Sequence, residues 1–216
     1  MTATKQLKAD RALTDGVVRL LPVVHTDAVL VASLQAREAG ASELLFDRYG
    51  AYVERLIVRA VGLDPEVPDL IHEVFARALE GIRSLQESSA LKGWIGSIAL
   101  FTARAFLRNR RTRRRWLSFL APHDLPDTAA TIVSPEVSET LQRTYAVLDT
   151  LPADERIAFA LRFVEGMELA HIAEMAGVSL ATIKRRLVRA QELFWDAAGK
   201  DPLLREHIAD ERTRNR

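Results

Sequence analysis

Apolar residues return every three or four positions along most of this chain, the period of a helix face. No β-branched run alternates between turn residues as a half-buried strand would. The pattern predicts helices throughout. A first is expected over Ala28–Glu38, closed by Gly40. Ser42 can cap a second, whose stripe runs from Leu44 and Leu45 through Tyr49, Tyr52, Val53, Leu56, Ile57 and Ala60 to Gly62. Pro65 and Pro68 stop continuation, and Asp69 opens a third with Leu70, Ile71, Val74, Phe75, Ala78, Leu79 and Ile82 on its apolar face. Ser89 caps a fourth, longer helix that passes Trp94, Ile95, Ile98, Ala99, Ala103 and Leu107 into a cluster of arginines.

Near Leu120 the period dies. Residues 121–135 hold three prolines and no repeat, a stretch longer than most loops inside a domain, and read as a linker. Helical spacing resumes near Glu136 with Leu141, Tyr145 and Leu148. Pro152 starts a further helix (Ile157, Ala158, Leu161, Phe163, Val164) that Gly166 ends, Leu169–Ala176 forms a short one, and Ser179 caps the last, which reaches Ala198. The expected division is an N-terminal extension (1–26), a first domain (27–117), a linker (118–137), a second domain (138–198) and a charged tail (199–216) with one more turn near Leu203–Ile208. The fold class is all-α: two small helical domains joined by a flexible linker.

Composition narrows the chemistry. A chain of 216 residues with 48% hydrophobic content can build a core, and the lack of cysteine excludes disulfides, thiolate catalysis and Cys-rich zinc or iron–sulfur sites. Apolar stretches are broken by Arg or Pro short of the ~20 residues of a membrane span, and Gly16–Pro22 is too short for a signal-peptide core. A soluble, cytoplasmic protein without membrane insertion is expected. The net charge of +1 conceals an uneven distribution. Ser88 to His123 contains no acid but eight bases, Lys92, Arg104, Arg108, Arg110, Arg111, Arg113, Arg114 and Arg115. A second acid-free window, Met175 to Gln191, carries Lys184, Arg185, Arg186 and Arg189, whereas Asp27 to Glu87 has eleven acids against six bases. Two separated basic patches suit two contacts with a polyanion.

The sharpest local signal runs from Leu169 to Leu187 and reads as a helix-turn-helix. Ala173 is small where two helices cross, Gly177 supplies the turn, and Ile172, Val178, Ile183 and Leu187 fill the angle. Ser179, Ala181, Thr182, Lys184, Arg185, Arg186 and Arg189 then lie on the helix that enters a major groove, where Arg can pair with guanine and Lys or Thr can hold phosphate. The run Arg104–Arg115 is less specific by itself, since charge at a helix end is commonly a solvated face. Interleaved aromatics (Trp94, Phe101, Phe106, Trp116, Phe119) add platforms suited to unstacked bases.

Together these residues resemble a group IV, extracytoplasmic-function (ECF) sigma factor of bacterial RNA polymerase, over about Asp27–Trp195. Asp69-Leu70-Ile71-His72-Glu73-Val74-Phe75-Ala76-Arg77-Ala78-Leu79 is similar to the family's acidic helix, with His72 where Gln is usual and Leu79 where Trp is frequent. Leu91-Lys92-Gly93-Trp94-Ile95-Gly96-Ser97-Ile98-Ala99 resembles the Trp-Leu-x-x-Ile-Ala signature before the promoter-melting helix. Leu151-Pro152-Ala153-Asp154-Glu155-Arg156 onward to Arg189-Ala190 follows the family's second domain. The resemblance implies that Asp69, Leu70, His72, Glu73, Phe75 and Arg77 bind the clamp coiled coil of core polymerase. It also implies that the second domain grips the flap and reads the −35 element, and that Trp94, Phe101, Arg104, Arg108, Arg110, Arg111 and Arg114 act at the −10 element. Asp124 and Asp127 of the linker would thread toward the active-site and RNA-exit path. Phe101 and Ala105 replace the Asn and Asp usual in the family's base-capturing neighbourhood, so Phe101 could stack on a flipped base or pack in the core.

The residues admit two other readings. Asp69-x-x-His72 and Glu168-x-x-His171 have the spacing of di-iron ligands, but such a site needs two further glutamate-bearing helices, so neither metal, cofactor nor enzymatic activity is expected. A helix-turn-helix regulator acting without polymerase would account for the second domain alone, and would usually dimerise. The expected partners are core RNA polymerase, promoter DNA and an anti-sigma factor, with the free chain a monomer in the cytoplasm that joins the nucleoid when active.

Overall fold

A computed structural model describes residues 26–120, 139–202 and 204–205, with side chains in the fourth helix as far as Thr112. The described residues form eight α-helices and no strand. Thr26 opens α1 (Asp27–Ala36) by accepting a hydrogen bond from the Val29 N–H. Helix α2 (Ala41–Val61) starts directly after Gly40, whose φ of 82° turns the chain, so Ser42 sits inside the first turn and does not cap it. Helix α3 (Val67–Gly81) begins two residues before Asp69, because Pro68 falls in the first turn, where its missing N–H costs nothing. A short 3₁₀ turn, Ser88–Ala90, contains Ser89 and leads into α4 (Leu91–Leu120).

The second half comprises α5 (Glu139–Leu148), α6 (Ala153–Phe159), α7 (Leu169–Met175) and α8 (Leu180–Ala198), with α6 running on into one wide π-helical turn over Ala160–Val164. Beyond α8, Leu204 is buried and Arg205 donates its N–H to Asp201 O, the start of the expected extra turn. The extension, most of the linker (including Asp124 and Asp127) and the end of the tail lie outside the described residues.

Leu45, Val53, Ile57 and Ala60 of α2 are sealed against Val74 and Ala78 of α3 and Leu91, Ile95 and Ala99 of α4. By length and hydropathy alone, Ser88–Thr112 is long and apolar enough to cross a membrane, contrary to the sequence expectation; here its apolar face packs on α2 and α3. Leu44 and Leu79, placed in the apolar stripes, are exposed. A smaller core of Val147, Leu148, Leu151, Ala190, Phe194, Ala198 and Leu204 holds α5 to α8. The opposite face of the second domain, with Ile157, Leu161, Ile172, Met175 and Ile183, joins the core of the first. The two domains are thus closed on one another.

Candidate nucleic-acid interface

Between α7 and α8 the chain turns at Gly177 (φ 63°), and the Val178 N–H returns to Ala173 O at 3.0 Å. A side chain larger than Ala173 would stand in the crossing it occupies. Ser179 then caps α8, its Oγ accepting from the Thr182 N–H at 3.2 Å. Ile183 and Leu187 face inward, which leaves Ala181, Lys184, Arg185 and Arg189 exposed on the opposite side. Thr182 is half-buried and receives a hydrogen bond from Arg185. Arg186 differs from its neighbours: its side chain is 18% exposed and points at Asp154 of α6, within the second domain.

On α4, Trp94 is half-buried, its ring against Gly81 of α3, and belongs to the packing of the first domain. Phe101 is 50% exposed, on the rim of a cleft whose walls also include Arg104, Asp154, Met175 and Arg186. Arg104 and Arg108 both reach Asp154, and Arg110 bridges Asp64 and Asp149 at 3.1 and 2.7 Å. Arg111 is exposed, and the side chain of Arg114 lies outside the described residues. On α3, Asp69, His72, Glu73 and Arg77 form an exposed row in which Arg77 pairs with Glu73. Leu70 and Phe75 point the other way, into the core, where the Phe75 ring meets Phe46 at 4.9 Å; any partner on this face meets the polar row instead.

Sequence reasoning missed the residues that join the domains. Arg156 is 2% exposed; its Nε donates to Ala60 O (2.7 Å), its Nη2 to Val61 O (2.5 Å) and its Nη1 to Asp149. Burial lowers its pKa, against the raising influence of Asp149. One signal for it exists: Ala153, Arg156, Ile157 and Ala160 share an apolar stripe, and a cation in that row calls for a buried acceptor. Glu165 pairs with Arg55 and Arg59 of α2 at 2.7 and 3.5 Å.

Family models for Sigma-70 region 2 and for Sigma-70, region 4, match residues 45–114 and 141–192. The ECF RNA polymerase sigma-E factor of Haemophilus influenzae is 31% identical over 177 residues, which span 78% of this chain and 93% of that relative. The chain belongs to the ECF sigma factors of the sigma-70 family. The Escherichia coli K12 sigma-E factor is likewise 31% identical, over 77% of this chain and 91% of its own length. Among solved structures, CnrH in complex with the cytosolic domain of CnrY aligns with a TM-score of 0.54 at 20% identity, covering 82% of this chain and 99% of CnrH. The sigma factor RpoE of Bartonella quintana, in complex with the anti-sigma factor NepR, aligns at 0.53 and 23%, covering 73% and 98%. These two share the fold. As an ECF sigma factor the chain is a polymerase-associated, promoter-specific initiation factor, with α3 and α4 in region 2 and the helix-turn-helix in region 4.

Proposed function

We propose that this sigma factor docks on the clamp coiled coil of core polymerase through Asp69, His72, Glu73 and Arg77, while the second domain holds the flap. Helix α8 then reads the −35 element, and α4 binds and helps open the −10 element. The division at 27–117 and 138–198 supplies the two working units, and polymerase performs all bond chemistry. The observation that carries this reading is the outward first half of α8. Ala181, Lys184 and Arg185 project from a capped helix that has no acid before Glu192, the arrangement that admits base edges and phosphates together. On α4 the basic face would hold the strand backbone, and half-exposed Phe101 is placed to stack on an unpaired base, worth roughly 1–3 kcal/mol. RpoE was crystallised with an anti-sigma factor, and a protein of that class is a further proposed partner. The factor works as a monomer in the cytoplasm, at the nucleoid when active.

The test is run-off transcription with core polymerase over a genomic fragment library, with start-site mapping. Arg185→Ala is expected to lose about 1–3 kcal/mol of discrimination at the selected −35 sequence, and Lys184→Ala to weaken binding evenly across sequences. Glu73→Lys should fail to copurify with core enzyme. A wild-type chain that selects no start sites with core polymerase defeats the reading.

A further inference from the structure

Where α4 passes the turn between α5 and α6 there is a partly open pocket of about 40 Å³. Arg110 and Arg111 of α4 line it together with Asp149, Ala153 and Arg156, and Leu107 and Leu151 supply apolar walls. Three guanidiniums share two carboxylates here. Asp149 takes Arg156 Nη1 on Oδ1 and Arg110 Nη2 on Oδ2, the latter at 2.7 Å, and Asp64 takes Arg110 Nη1 at 3.1 Å. Arg111 is exposed and has neither a hydrogen bond nor an ion pair among the described residues. Its own helix offers no acid to answer it, because Ser88–His123 contains none. Arg156 carries a charge that burial disfavours and that the like charge of Arg110 disfavours further.

We propose that this pocket binds one tetrahedral oxyanion, phosphate, held by Arg111 and Arg110 with the charge of Arg156 behind it, and that the bound ion ties α4 to the start of α6. Size selects the ligand. A buried water needs about 10–15 Å³, so the pocket holds about three waters, or the single phosphate that replaces them. A nucleoside does not fit, although the open side admits a phosphate ester whose remainder stays in solvent. A guanidinium presents paired N–H donors to two phosphate oxygens, and Arg110 retains its Nε beyond the bonds it makes to Asp64 and Asp149. Both oxygens of Asp149 are already paired, which offsets its repulsion of an anion beside it. The apolar walls keep water away and strengthen the attraction. A backbone phosphate of DNA has the same chemistry, but a pocket of this size, walled by both domains, has no room for the sugars on either side.

The test titrates the full chain calorimetrically with sodium phosphate at neutral pH, against sodium chloride of equal ionic strength. The wild type should bind one phosphate saturably, with a dissociation constant on the order of 1 mM, and chloride should show no saturation. Arg111→Gln, at an exposed position, should weaken phosphate binding on the order of tenfold, whereas Arg83→Gln, an exposed arginine away from the pocket, should bind as the wild type does. Ala153→Leu fills the pocket without altering a charge and should abolish saturation, its folding checked by circular dichroism. If that variant does not fold, the two arginine variants carry the test. A promoter duplex selected by run-off transcription serves as the other source of phosphate. No saturable phosphate binding by the wild type overturns the proposal, and so does binding of wild-type strength in Arg111→Gln. Equal weakening in Arg83→Gln overturns it in favour of diffuse charge attraction. An Arg111→Gln chain that loses duplex affinity, while the wild type ignores free phosphate, assigns the pocket to DNA and overturns it as well.

Discussion

Tyr49 donates to Asp27 Oδ2 at 2.8 Å from a site only 6% exposed. Burial above all, then this hydrogen bond and the carboxylate charge, pushes its phenol from 10.0 up to about 12. Below pH 10 both the folded and unfolded chains keep the proton, and the contribution to stability is complete. Between pH 10 and about 12 the unfolded chain gives up the proton while the folded chain retains it, so stability falls as pH rises. Urea unfolding at pH 9 and pH 11 should show a wild-type loss on the order of 1 kcal/mol from this group, absent in Tyr49→Phe. An equal loss in the variant would assign it to other groups. The sequence placed Tyr49 on the core stripe, yet its partner stands 22 residues away, and helical periodicity carries no information on such pairs. Leu70 and Phe75 show the converse: family resemblance placed them at the polymerase surface, while their own apolar spacing had already put them on the buried face, where they lie.

Helices and turns were legible where the determinants are close in sequence. The cap, the glycine and the small crossing residue of the helix-turn-helix lie between Ala173 and Thr182, and all three act as read. Ser179→Ala removes the oxygen that accepts from the Thr182 N–H. It should cost about 1 kcal/mol of stability, read as a lower urea midpoint at an unchanged denaturant slope. An unaltered midpoint would mean that the backbone bond from Thr182 N to Ser179 O holds the turn unaided. Starts of α2, α3 and α4 moved by a residue or two because glycine, proline and a 3₁₀ turn can all begin a helix without a side-chain cap. The π-helical turn after α6 was not legible. Its wider turn breaks the 3.6-residue phase, so Phe163 and Val164, assigned to the apolar face, emerge 50% and 38% exposed.

At the scale of the whole molecule, charge windows that read as free for a polyanion are partly engaged by the chain's own acids. Periodicity could not show this, because Arg104 and Asp154 are 50 residues apart and Arg156 and Ala60 are 96 apart. Because one apolar core runs through both domains, they should unfold together, and a thermal scan of the full chain should show one transition with equal calorimetric and van't Hoff enthalpies. Arg156 is a buried polar tie across the seam, since it donates to both Ala60 O and Val61 O at the end of α2 and pairs with Asp149 as well. Arg156→Met keeps the volume but leaves two buried carbonyls without their donor, while Asp149 keeps Arg110. Each buried acceptor left unsatisfied costs about 1–3 kcal/mol. That loss falls on the contact between domains more than on either interior, since Leu45, Val53 and Ile57 in one and Leu148, Ala190 and Phe194 in the other keep their neighbours. The scan of Arg156→Met should therefore split into two transitions, the second domain melting first because its separate core is the smaller. A single transition merely shifted to lower temperature would show instead that the apolar seam around Met175 and Ile183 couples the domains without the arginine.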